Sequence, residues 1–309
     1  MFTDKLNFES DLKFELIRLA TQIGFKLSMN NSLDKMLVNY LNVHSKLIQP
    51  KLRNVKINPE FIKDIFFHTK RKEIEHIFNL AKIGGNLNPF QSKKLLQTNF
   101  HDHLKNEWNI YHFHLSLEIN KKSGFVKQVD SLLFAYIDNE NVFFLGESTH
   151  KQDIFSNIKW VEILHDHFPK ILEPFKREET DDIKVASDYK NSALWRERLC
   201  MGFSKIRNTV YYHPGIGQAT SGHNILIVRN SIGFLRWLHK LENQVADSYQ
   251  ELCIILGLSL DEAKFKIRIG EETLELIEEF SNHQLVKYPE ELIGKEELIR
   301  QINSSNILT

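Results

Sequence analysis

The sequence predicts an α+β fold, and three observations carry that prediction. Apolar residues recur at helical spacing through most of the first 90 positions. The period switches to alternation near residue 109, and a helical period returns near residue 155. The resulting order of helix, strand, hairpin and helix implies a small antiparallel sheet with flanking helices. The expected division is a helical, basic N-terminal region over 1–90, an antiparallel α+β core over 91–175, and a mainly helical C-terminal region over 176–309.

The first helix is expected over 11–27 with its end near Gly24. A second covers 32–48, with Leu33, Met36, Leu37, Tyr40 and Leu41 on one face, and stops before Pro50. A third runs over 59–83 and closes at Gly84-Gly85-Asn86, because glycine takes the left-handed conformation at a helix end without steric cost. A connector with Pro89 follows, and then Leu95, Leu96, Phe100, Leu104 and Trp108 return at helical spacing. Strands are expected over 109–117, 131–137 and 142–145, the last two joined by the polar tetrad Asp138-Asn139-Glu140-Asn141. Ile158, Val161, Leu164 and Phe168 mark a helix over 155–168 that Pro169 ends. Further on, residues 176–184 read as a polar linker and 186–208 as helix and loop by turns. The glycine-containing stretch 213–222 leads into a long helix over 223–257, followed by a short strand over 264–269 and an acidic amphipathic helix over 271–280.

Apolar residues make up 42% of the 309 positions and charged residues 26%, the balance of a soluble globular chain. Forty basic residues against forty acidic ones argue against a general nucleic-acid coat protein. The charge is uneven, however. Residues 1–100 carry 16 Lys/Arg against 9 Asp/Glu, and residues 261–300 carry 6 against 11. A basic half of this kind can face a phosphate backbone, although such asymmetry is more often just two solvated surfaces. Cys200 and Cys253 lack metal-type spacing and fit a reducing compartment. The N-terminus has no apolar signal core, and the longest apolar run, near residues 253–258, is too short to cross a membrane. A cytoplasmic location, without membrane partners, is the expectation.

Three His-x-His pairs occur: His101/His103, His112/His114 and His165/His167. The first and third fall in segments of helical period, where residues two apart point in different directions. His112 and His114 fall in an alternating segment, so both imidazoles project to one strand face. That alternation is also what a half-buried strand with a polar outer face displays. His150 and Lys151 follow the third strand and can approach the pair in an antiparallel sheet, with Glu147 nearby. A set of His112, His114, His150, Lys151 and Glu147 offers a base, an acid and a cation for phosphate charge. The alternative is a Zn, Fe or Mn site built from His112, His114, Glu118 and His150, since His-x-His-x3-Glu spacing opens a cupin-type motif. A cupin needs more strands than this chain offers. Thr220 or Ser221 is read first as a cap of the long helix, and Thr220, Ser221 and His223 are kept as a second-tier anion site at its start.

Residues 109–151 resemble the core of RelE/ParE-type toxin domains, on the strand 110–115, the hairpin 132–145 and the motif Ser148-Thr149-His150-Lys151. The resemblance covers about 45 residues and implies RNA cleavage without a metal, by basic and imidazole side chains. It departs from the family in placing histidines where arginines are common, and in embedding the core between helical regions. The expectation that follows is a toxin-like effector, a metal-independent ribonuclease of bacterial antiphage defence. No cofactor is needed in that reading, RNA is the partner, and a regulatory protein is a second one. The alternatives are a non-catalytic interaction protein and a metal-dependent hydrolase using His112 and His114.

Overall fold

In the computed structural model the described residues are 5–65, 69–150, 154–177, 202–217, 219–270, 274–279 and 284–288. Their elements in chain order are α1 (Phe8–Ile23), α2 (Leu33–His44), β1 (Asn54–Ile57), α3 (Pro59–Ile65), α4 (Arg71–Ile83), α5 (His103–Trp108), β2 (Ile110–His114), β3 (Ser131–Ile137), β4 (Asn141–Thr149), α6 (Lys159–His167), α7 (Pro169–Leu172), β5 (Phe203–Ile206), β6 (Thr209–Tyr212), α8 (Ile225–Asp247), α9 (Tyr249–Leu256), β7 (Phe265–Ile269), β8 (Leu274–Glu278) and β9 (Gln284–Tyr288). The fold is α+β, as the period changes in the sequence imply.

The chain divides into two compact units, one of residues 46–226 and one of residues 1–45 with 227–307. This differs from the three consecutive regions expected from sequence. The reason lies in β1, which pairs in parallel with β4 and ties residues 54–57 to the central sheet. Four alternating residues inside a helix-rich stretch, with an exposed or half-buried pattern, are too few to announce a strand.

The larger unit is built on the sheet β1-β4-β3-β2, antiparallel except at β1. On one face Ile74, Ile77, Phe78 and Ala81 of α4 pack over Phe113, Leu133, Ala135 and Phe144. On the other, Trp160, Val161 and Leu164 of α6 pack over Phe134, Phe143 and Leu145. Trp160 stacks on Phe134 at 4.0 Å between ring centres, and Phe78 meets Phe144 at 4.2 Å. The sheet is therefore buried on both sides, which leaves no water-facing side for His112 and His114. A β-ribbon of β5 and β6 completes this unit.

The residues expected as one helix over 91–108 instead form a 3-10 turn (Lys93–Leu96) and the short α5. Ser92 and Asp102 each accept a backbone N–H two or three positions on and so restart the chain. Asn109 then takes the left-handed conformation (φ 56°) and turns α5 directly into β2. Pro169 opens α7 as well as closing α6, which fits its freedom at a first helical position.

In the smaller unit α1 packs against β7, with Asp11 and Glu15 accepting the backbone N–H groups of Ile267 and Ile269. The acidic stretch expected as a helix over 271–280 contains β8. Its Leu274, Leu276 and Ile277 are buried, and Glu275 pairs with its cross-strand neighbour Arg268 at 2.8 Å. The long helix expected over 223–257 is two, α8 and α9, parted at Ser248.

Candidate functional site

The site is built where α5 runs into β2. Asp102 stands at the N-terminal end of α5, and its Oδ1 accepts the Lys105 N–H at 3.1 Å. The other oxygen, Oδ2, lies 3.2 Å from Nδ1 of His112 on β2, a close ionic approach whose geometry falls short of a hydrogen bond. Burial pushes the Asp102 carboxyl up, but His112, the Lys105 N–H and His103 together hold the group below the ordinary carboxylate range. An ionised carboxylate at Nδ1 favours the proton there and leaves the lone pair on Nε2.

Asp102 and His112 share a small recess with Lys46, Gln91, Ser92, Leu95, Phe100 and Lys105. The Lys46 ammonium donates to the carbonyls of Gln97 and Phe100 at 3.0 and 3.1 Å. Burial lowers it to about 7, against the pull of Asp102. Burial likewise lowers Lys105 to about 8, again with Asp102 opposing. Two amines thus titrate near neutrality beside a buried carboxylate.

A line of three imidazoles runs from the recess to the surface. His112 and His114 lie 6.2 Å apart between ring centres, and His114 stacks on His150 at 5.4 Å. Phe155 packs against His112 and His150. His114 Nδ1 donates to the Val129 carbonyl at 2.8 Å, which fixes the tautomer, and among the described residues its buried Nε2 has no hydrogen-bond partner. Burial is the main cause that holds His114 down to about 4, which favours the neutral imidazole at pH 7. His150 is exposed, and its backbone N–H is held by Asp130.

The other expected site residues scatter. Glu147 is in register with Leu133, whose neighbour across the sheet is Phe113. It therefore faces the α4 side, opposite to His112 and His114. Glu118 pairs with Lys127 at 3.2 Å in an exposed loop, which takes it out of the proposed metal set. No group of three or more His, Cys, Asp or Glu arranged to hold a metal occurs among the described residues. Lys151 and Cys200 lie outside the described residues.

The loop carrying Thr220, Ser221 and His223 spends backbone donors on itself. Ala219 donates to the His223 carbonyl, Gly222 to Ala219, and Ile225 to Gly217. Ser221 Oγ contacts His223 Nδ1 at 3.1 Å, while the cap of α8 is Asn224, whose Oδ1 accepts the Leu226 N–H at 2.8 Å. The expected cap at Thr220 or Ser221 is thus corrected by a few residues. Of the helical His-x-His pairs, His165 contacts the Tyr211 hydroxyl at 2.9 Å.

Asp102, Lys46 and Lys105 were missed by sequence reasoning. A single lysine among the apolar positions Tyr40, Leu41, Val43, Leu47 and Ile48 was the available signal for Lys46. Asp102 sits between His101 and His103, where its capping role competes for attention. Among the described residues no helix is long and apolar enough to cross a membrane. No protein-family model, curated protein or solved structure matches the chain.

Proposed function

We propose that the chain is a toxin-like effector that cleaves RNA by acid–base chemistry at the Asp102–His112 recess. The observation that carries this reading is the His112 imidazole, which lies beside a buried carboxylate in a recess shared with two amines that titrate near neutrality. In RNA cleavage the 2′-hydroxyl attacks the adjacent phosphorus. His112, oriented by Asp102, takes the hydroxyl proton. Lys105 returns a proton to the 5′-oxygen as the P–O bond breaks, and Lys46 offsets charge on the phosphate. A base, an acid and a cation are all supplied by side chains, so the reaction as written requires no metal. The resemblance of residues 109–151 to RelE/ParE-type domains supports RNA as the substrate and bacterial defence in the cytoplasm as the setting.

The test is cleavage of a mixed-sequence single-stranded RNA by the full chain, with and without chelator. Cleavage that survives chelator and is lost in His112→Ala is expected. Intact RNA with the wild-type chain overturns the reading, and dependence on an added divalent ion favours the metal-dependent hydrolase instead. A non-catalytic interaction protein is the second reading. It is favoured by Leu117 and Ile119, which are 48% and 56% exposed beside the bridge Ile119↔Val126. It expects Ile119→Ser to abolish cellular activity while His112→Ala leaves it intact.

A further inference from the structure

Within the larger unit, Glu107, His213 and Ser204 form a hydrogen-bonded line that the recess does not use. His213 Nδ1 lies 2.5 Å from Glu107 Oε2, and His213 Nε2 lies 2.8 Å from Ser204 Oγ. Glu107 comes from the last turn of α5, Ser204 from β5, and His213 directly follows β6. All three are at most 2% exposed. We propose that Ser204 is an activated nucleophile, with His213 as its base and Glu107 as the group that orients the base. The site would take small uncharged carboxylic esters.

The order of the contacts supports this assignment. A carboxylate at Nδ1 keeps the proton there and leaves the Nε2 lone pair to accept the Ser204 O–H, which is the arrangement that raises the nucleophilicity of a hydroxyl. The Trp108 ring packs 4.8 Å from the imidazole and keeps water from the Glu107–His213 contact. A fastening role is already filled by other groups. Gly215 N–H donates to the Glu107 carbonyl, and Asn224 Nδ2 donates to the carbonyls of Asn106 and Gly215. An apolar trio would fill the same space without the desolvation cost of a buried carboxylate and imidazole. Ser204 is closed off in this conformation, so a substrate reaches it only when the β5–β6 ribbon, whose Ile206 and Tyr211 pack in the core, moves aside. The buried Glu107 carboxylate disfavours anionic substrates, hence the uncharged ester.

In the reaction Ser204 Oγ bonds to the ester carbonyl carbon as its proton passes to His213 Nε2. The tetrahedral adduct collapses, the C–O bond to the alcohol breaks, and His213 gives its proton to the departing alkoxide. Water, deprotonated by His213, then attacks the acyl-serine; the C–O bond to Ser204 Oγ breaks, Ser204 takes back the proton from His213, and the carboxylic acid leaves.

The test is labelling of the full chain with phenylmethanesulfonyl fluoride, read by intact mass and peptide mapping. One adduct, on Ser204, is expected in the folded wild type and none in the guanidinium-unfolded chain. The labelling rate should fall about 100-fold or more in His213→Gln and about 10-fold in Glu107→Gln. No adduct on folded wild type overturns the proposal without recourse to any variant. Equal labelling of folded and unfolded chain, or of wild type and His213→Gln, overturns it too, since Ser204 is then an ordinary hydroxyl.

Discussion

Asp102 serves His112 and its own helix with different oxygens: Oδ2 lies 3.2 Å from His112 Nδ1, while Oδ1 accepts the Lys105 N–H that starts α5. The two roles separate in Asp102→Asn. Asparagine caps a helix about as well as aspartate, so unfolding should shift by less than about 1 kcal/mol. The charge that orients the imidazole is lost, and RNA cleavage should fall roughly 10²- to 10³-fold. Initial rates and thermal unfolding of the same preparation check this; retained activity would show that Asp102 is a cap alone.

How legible this arrangement was in the sequence depends on the range of each signal. Strand β3 over 131–137 and the Asp138 turn are local patterns, and both stand where alternation and turn chemistry place them. The face shared by His112 and His114 is equally local. The burial of that face is not, because it depends on α6 and Phe155 arriving from 40 residues away. Lys46 reaches carbonyls some 50 residues along, and no periodicity encodes such a meeting. Glu147 failed for a local reason: a register shift between Phe134 and Ala135 opposes β4 across the sheet, and only the register shows which face Glu147 takes.

His114 makes the larger unit acid-sensitive. Its folded pKa is about 4 and its unfolded value 6.5, so the unfolded chain binds the extra proton between them. Stability is full above about pH 6.5 and falls as the pH drops towards 4, by roughly 2–3 kcal/mol from this group. His150 and His103, also lowered chiefly by burial, act in the same direction. Denaturant midpoints at pH 7.5 and 4.5 should converge in His114→Gln relative to wild type. An unchanged difference between the two pH values would remove His114 from the explanation.

Two glycines should respond to alanine with opposite signs. A Cβ on Gly215 would lie 1.7 Å from the Asn106 carbonyl oxygen, so the loop or the end of α5 must move. Gly215→Ala should cost about 1–3 kcal/mol, as overpacking does. Gly233 lies on the exposed side of α8 with nothing within 4 Å of such a Cβ. Gly233→Ala should stabilise by about 0.5–1 kcal/mol, because the unfolded chain loses freedom. Urea midpoints of the two variants test the pair, and a Gly215→Ala chain as stable as wild type would contradict the close approach.

Asp11 gives the smaller unit the opposite pH dependence. Burial, reinforced by Glu279 and Glu242, raises its carboxyl to about 6, although the Ile267 N–H and Lys266 favour the ionised form. The folded unit therefore binds the extra proton between about pH 3.8 and 6. The contribution is fully present below the unfolded value and is lost as the pH rises through the folded one. At neutral pH a partly desolvated charge remains, and Asp11→Asn removes it while keeping an oxygen to accept the Ile267 N–H at 3.1 Å. After allowance for solvent screening the gain should be about 1 kcal/mol at pH 7.5. Near pH 4 the aspartic acid is already neutral in the folded unit, and the variant should lose its advantage. Urea unfolding followed at both pH values decides it. A gain of equal size at both would assign the effect to packing instead of charge, and no gain at pH 7.5 would mean that the Ile267 N–H and Lys266 already offset the burial of Asp11.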